Sequence, residues 1–108
     1  MKYWTVEYTK EAAKDLNALH TDARNQVYKA IRKVSENPLP KNEGGCGKPL
    51  GNKRGRNLAG LCKIKLLKLG IRIVYKLVRT DNIMKIIVIS VRADDEVYEL
   101  AAKRQGQE

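Results

Sequence analysis

Hydrophobic and polar residues alternate from Tyr3 to Tyr8, with Trp4, Val6 and Tyr8 on one face and Thr5 and Glu7 on the other. That two-residue period predicts a short strand. At Thr9 the period changes: Ala12, Ala13, Leu16 and Leu19 recur at helical spacing behind a threonine suited to N-capping. His20-Thr21 interrupts the pattern, and Thr21 is expected to cap a second helix carrying Ala23, Val27, Ile31 and Val34. This helix must stop before Pro38. So short a turn predicts an antiparallel helix pair, with His20 an exposed turn residue. From Pro38 to about Gly60, prolines 38, 40 and 49 and glycines 44, 45, 47, 51, 55 and 60 read as a flexible connector. Strands are predicted at Leu61–Leu67, Gly70–Arg79 and Ile83–Val91, with turns near Lys68-Leu69 and Thr80-Asp81-Asn82. Asp94-Asp95-Glu96 then supplies the acidic first turn of a last helix, with Val97, Leu100 and Ala101 as its apolar stripe. The order β-α-α-β-β-β-α predicts one α+β domain over 1–108, an antiparallel sheet packed by the N-terminal helix pair and the C-terminal helix.

Length and charge narrow the function. A chain of 108 residues has room for one core, not for a nucleotide-binding half plus a substrate half. No apolar run is long enough to span a membrane, and Met1–Glu7 is no signal peptide, so the expected address is cytoplasmic and no membrane partner is expected. Cys46 and Cys62 are then expected as reduced thiols. Between Lys41 and Arg79 stand 11 basic residues and a single acid, Glu43, while the rest of the chain holds 11 basic and 11 acidic residues. The whole net charge of +10 therefore sits in the middle segment. A field so concentrated favours a polyanion as partner.

The residue types also exclude chemistries. His20 is the only histidine, which removes a two-histidine acid–base nuclease. No paired-His or Cys-x-x-Cys zinc spacing, no carboxylate pair in the basic segment, no Walker loop and no G-x-G-x-x-G is present. No metal and no cofactor are expected. Chemistry falls to Lys, Arg, Tyr or a hydroxyl.

In Cys62-Lys63-Ile64-Lys65-Leu66 both lysines share one face, and in Ile71-Arg72-Ile73-Val74-Tyr75 the arginine lies opposite Ile71, Ile73 and Tyr75. A two-residue turn at Lys68-Leu69 pairs Lys65 directly with Arg72 and leaves Lys63 one pair away. Opposed like charges destabilise a sheet, so an outside anion, most simply a phosphate, is expected to compensate them. A solvated face with splayed charges is the alternative. Lys53, Arg54 and Arg56 are placed to reach a backbone phosphate from the glycine-rich arm, and Lys68 and Lys76 extend the basic surface.

The run Cys62–Leu66, then Gly70-Ile71-Arg72-Ile73-Val74-Tyr75, then Val88-Ile89-Ser90-Val91-Arg92 and Glu96-Val97-Tyr98 resembles the RelE branch of the RelE/ParE toxin superfamily, found in type II toxin–antitoxin modules. The resemblance is specific from about Leu61 to Arg104 and weaker over the rest, through Lys48-Pro49-Leu50-Gly51. It implies a metal-independent endoribonuclease that cuts messenger RNA on the ribosome and so inhibits translation. The 2′-hydroxyl attacks the adjacent phosphate, leaving a 2′,3′-cyclic phosphate and a 5′-hydroxyl. By position, the family's catalytic set falls on Lys63, Lys65, Arg72, Arg92 and Tyr98; the RNA-binding candidates Lys53, Arg54, Arg56, Lys68 and Lys76 come from the charge pattern alone. It also implies a cognate antitoxin that masks the basic face or displaces the C-terminal helix.

Each assignment has a plainer alternative. Tyr98 could be core, and Arg92 could cap a strand end or pair with Asp94 or Asp95; Tyr75 and Cys62 read as core. The link from Ser90 to Arg92 is shorter, and the glycine-rich approach longer, than in the family pattern. Two other functions stay open: a ribonuclease acting without the ribosome, and a ParE-like toxin that inhibits DNA gyrase without cutting RNA.

Overall fold

The first strand, β1 (Thr5–Tyr8), ends where Thr9 turns the backbone into α1 (Lys10–Asn17), its hydroxyl accepting from the Ala12 amide at 3.1 Å. A second helix, α2 (Thr21–Ser35), begins one residue sooner than a Thr21 cap requires. Exposed, extended His20 takes the N-cap position without a side-chain bond. A computed structural model describes residues 4–53 and 56–106, the side chains of 51–53, 56, 57, 59 and 106 lying outside that description. After a single 3₁₀ turn (Lys41–Glu43) come β2 (Lys48–Lys53), β3 (Arg56–Leu66), β4 (Ile71–Val78), β5 (Ile83–Ser90) and α3 (Asp94–Gly106). None of the described helices is long and apolar enough to cross a membrane.

The α+β class and the three predicted strands from Leu61 onward hold, with two differences. The sheet has five strands in the order β1-β5-β4-β3-β2, and its first pair is parallel, Thr5↔Ile83 to Tyr8↔Ile86. Side-chain alternation is the same for either strand direction, so the local pattern could not carry that information. The predicted connector from Pro38 to Gly60 is also largely structured. It forms β2 and the first half of β3, anchored by buried Leu50 and Leu58. Proline, glycine and asparagine are poor strand formers, and here pairing overrides their propensity.

Helices cover both faces. Ala12, Leu16, Val27 and Ile31 from α1 and α2 pack with Cys62, Ile71, Ile73, Tyr75, Met84 and Ile86. On the opposite face Val97, Tyr98 and Ala101 of α3 pack with Leu58, Leu61, Val74, Ile87 and Val88. Two bulges make this second core. The β2–β3 register slips between Pro49 and Gly51, and Gly60, at φ 84°, supplies the left-handed kink that turns both Leu58 and Leu61 to the α3 side. The β4–β5 register slips between Val74 and Tyr75, leaving Ile87 unpaired with β4 and turned with Val88 toward α3.

Among the described residues β1 pairs only with Ile83–Ile86, and no described strand covers the second half of β5 on that side. Two side chains close it. Asp15 of α1 accepts from the Ile89 amide at 3.1 Å, and Arg104 of α3 donates to the Ile87 carbonyl at 2.9 Å. The two also pair with each other at 2.7 Å. Together they satisfy the backbone that another strand would otherwise seek.

Tyr75 is fully buried and donates to the Pro38 carbonyl at 2.7 Å, and burial pushes its phenol well above the ordinary range. A Cβ on Gly47 would stand 2.2 Å from that hydroxyl, so only glycine lets the 38–47 segment close over it. Cys46 is exposed and Cys62 buried, both free, and burial raises the Cys62 thiol, as suits a packing residue.

Two outcomes follow. Arg104→Ala leaves the half-buried Asp15 carboxylate and the Ile87 carbonyl without their partner, and should cost roughly 3 kcal/mol in urea unfolding. Adding Asp15→Asn should cost less than the sum of the two single changes. Gly47→Ala should destabilise by about 2 kcal/mol or more, and visibly less in a Tyr75→Phe background, where the obstructing hydroxyl is gone.

Candidate nucleic-acid interface

The β3–β4 register places Lys65 opposite Arg72 and Lys63 opposite Val74, as the two-residue turn predicts. Both lysines lie on the face that α3 crosses, because Leu61, two residues before Lys63, packs against α3. The helix contributes two groups to them. Tyr98, only 6% exposed, accepts a hydrogen bond from Lys63 Nζ at 2.6 Å. The ammonium is 5.3 Å from the ring centroid. That separation is close to the ring radius, C–O bond and hydrogen bond laid end to end, so the ammonium sits off the hydroxyl and not above the ring face.

Asp94, the first residue of α3, closes the other end of the cluster. It pairs with Arg72, whose Nε donates to Oδ1, and with Lys65 at 3.5 Å. Burial would raise the Asp94 carboxyl. The hydrogen bond and charge of Arg72, with Lys65 and Lys63 behind, outweigh that and hold it below the usual carboxylate range. Arg72 Nη1 donates to the carbonyls of Gly70 at 3.2 Å and Arg92 at 2.9 Å. The guanidinium is thus fixed by its own hairpin, by the strand-to-helix link and by the helix. The charge opposed across the hairpin is answered from inside the chain, where sequence reasoning had looked to an outside phosphate.

The remaining candidates are dispersed. Arg92 is exposed, and its side chain lines a shallow recess with Glu96, Glu99, Leu100 and Lys103. What it gives the cluster is its backbone carbonyl. Lys68 is exposed at the hairpin tip, beside a cleft of about 400 Å³ that it lines with Gln26, Lys65, Leu66, Leu67 and Leu69. Lys76 is half-buried on the Arg72 face of β4 and pairs in register with Leu61, further from the turn than the Lys63–Val74 pair. Arg54 lies outside the described residues, as do the side chains of Lys53 and Arg56, whose backbones pair across the β2–β3 hairpin.

Sequence reasoning missed two members. Lys48 is exposed and in register with Lys63, which extends the basic face onto β2. Its signal was hidden because β2 read as loop. Asp94 read as part of the acidic first turn of the last helix or as a partner for Arg92, and nothing local announces a partner on a strand.

Chemically, the cluster holds two cations on one carboxylate and, beside them, a lysine–tyrosine pair linked by a short bond. Guanidinium and ammonium groups held in place by their neighbours stabilise negative charge between them with little movement of their own.

No family model matches the chain. A curated Escherichia coli relative described as a putative RelE-like toxin protein is 26% identical over 104 residues, covering 96% of this chain and 98% of the relative. Among solved structures, the Mycobacterium tuberculosis RelBE2 toxin–antitoxin complex contains a chain with TM-score 0.68 and 27% identity, matched over 87% of this chain and 97% of that one. A doubly substituted E. coli RelE toxin in its free state gives TM-score 0.73 and 25% identity, over 95% and 98% of the two chains. The same variant bound to an antitoxin RelBc peptide gives 0.67 and 25%, over 93% and 95%. In sequence along nearly its whole length, and in fold, the chain resembles the RelE-type toxins of toxin–antitoxin modules.

Proposed function

We propose that the chain is the toxin of a type II toxin–antitoxin module: a cytoplasmic, metal-independent endoribonuclease that cuts messenger RNA on the ribosome and is held inactive by a cognate antitoxin. The observation that carries this reading is the convergence of Lys63, Lys65 and Arg72 on the sheet face that α3 crosses, with Tyr98 of α3 against them. The resemblance to structures solved with their antitoxins supports the partner.

In this reading a 2′-oxygen forms a bond to the adjacent phosphorus as the bond to the 5′-oxygen breaks. One proton leaves the 2′-hydroxyl and one arrives on the 5′-oxygen. Arg72 and Lys65 meet the phosphoryl oxygens, where charge builds most in the transition state. Lys63 and Tyr98 share a hydrogen-bonded proton at the edge of the same surface and supply the proton transfers. Arg92, exposed on the strand-to-helix link whose carbonyl accepts from Arg72, joins them on the RNA by turning out of its recess.

The position of the Arg92 side chain favours a second reading, a ParE-like toxin that inhibits gyrase without cutting RNA. Mapping 5′ ends of cellular messenger RNA after induction separates the two. Codon-phased new ends are expected from the native chain and none from Arg72→Ala, a loss of at least about 10²-fold. Ends without phasing would indicate ribosome-independent cleavage, and growth arrest with DNA damage and no new ends would establish the gyrase reading. Lys63→Ala and Tyr98→Phe should each slow cleavage. Together they should do little more than the worse of the two, since each removes one half of the same bond.

A further inference from the structure

Arg72 has its gripping positions occupied. A guanidinium takes a phosphate with two parallel bonds, either from Nε and one terminal nitrogen or from both terminal nitrogens. Here Nε is given to Asp94 and Nη1 to the Gly70 and Arg92 carbonyls. Neither fork is open until one partner leaves. The carbonyls belong to backbone. Asp94 is a side chain, 37% exposed, against 20% for Arg72 and 30% for Lys65. It is the partner free to rotate outward, and its release also frees Lys65.

We propose that Asp94 is a built-in competitor for the anion site: its carboxylate fills the place between Lys65 and Arg72 that an RNA phosphate takes, and RNA binds by displacing it. The inference rests on the RNA-phosphate reading of the cluster and adds that the free protein holds the site closed. Carboxylate and phosphate present like-charged oxygens to the same donors, so the exchange leaves the two cations compensated throughout. The affinity seen from outside is the intrinsic affinity reduced by the fraction of molecules in which Asp94 has let go.

The test is binding of an RNA oligonucleotide made uncuttable by 2′-methoxy groups, followed by fluorescence anisotropy at fixed salt. Asp94→Asn keeps the shape and removes the charge; Glu11→Gln makes the same change in net charge in the exposed first turn of α1, on the other side of the sheet. Asp94→Asn is expected to bind about tenfold tighter than the native chain, as for a site open about a tenth of the time. Glu11→Gln is expected to stay within about twofold, and the gain should vanish when Arg72→Ala is added. Asp94→Ala should behave as Asp94→Asn does, which guards against a defect of folding in either variant. If Asp94→Asn binds no tighter than Glu11→Gln, or binds more weakly, Asp94 is a positioning residue for Arg72 and the competitor role is overturned. If the native chain and Arg72→Ala bind equally, the phosphate reading of the cluster fails, and the competitor role fails with it.

Discussion

The register of the β3–β4 hairpin holds Lys65 and Arg72 face to face, and two positive side chains so placed repel through little but each other's solvent. The chain answers with the first residue of its last helix. Because Asp94 must reach both cations, the start of α3 is tied to that end of the sheet. From this fixed point the helix runs across the β3–β5 face, sets Tyr98 against Lys63 one turn on, and delivers Arg104 to the β5 edge near its other end. Shifting the hairpin register by one residue would turn one strand over against the other, which would bury either Lys65 or Arg72 in the α1–α2 core and break up the face on which α3 docks.

Resemblance and geometry support the same function from different directions. The relatives cover nearly the full chain, which addresses the architecture. The hydrogen bonds, ion pairs and strand register bring together four of the five residues that the family pattern implies, Lys63, Lys65, Arg72 and Tyr98, with Asp94 among them. Arg92 stands apart in its recess with Glu96 and Glu99. In the proposed function, that separation and the carboxylate on Arg72 correspond to the state before RNA is bound.

Much of this was legible in the sequence where local chemistry decides the outcome. Thr9 caps α1 because a β-region threonine before a helical run can do little else, and the two-residue turn at Lys68-Leu69 fixes the hairpin register arithmetically. Legibility failed where distant groups decide. The β2 strand is spelled in lysine, proline, glycine and asparagine, and exists because β3 offers it a ladder and Leu50 a place to be buried. The parallel pairing of β1 leaves no local trace. Leu58 and Leu61, of opposite parity, reach the same core only through the kink at Gly60. The clustering of Lys63, Lys65 and Arg72 could be read from parity, whereas the partnership of Asp94 with Arg72 spans 22 positions in sequence.

The closure of the β5 edge by Asp15 and Arg104 gives α3 a second duty, apart from covering its own core. One of the two groups that satisfy the open backbone belongs to the helix, so any event that lifts α3 also strips the Ile87 carbonyl of its donor. Asp15, carried by α1, still holds the Ile89 amide, so the edge opens first at its Ile87 end. Helix position and edge protection are thereby one equilibrium: whatever lowers the cost of lifting α3 also lowers the protection of that stretch of backbone.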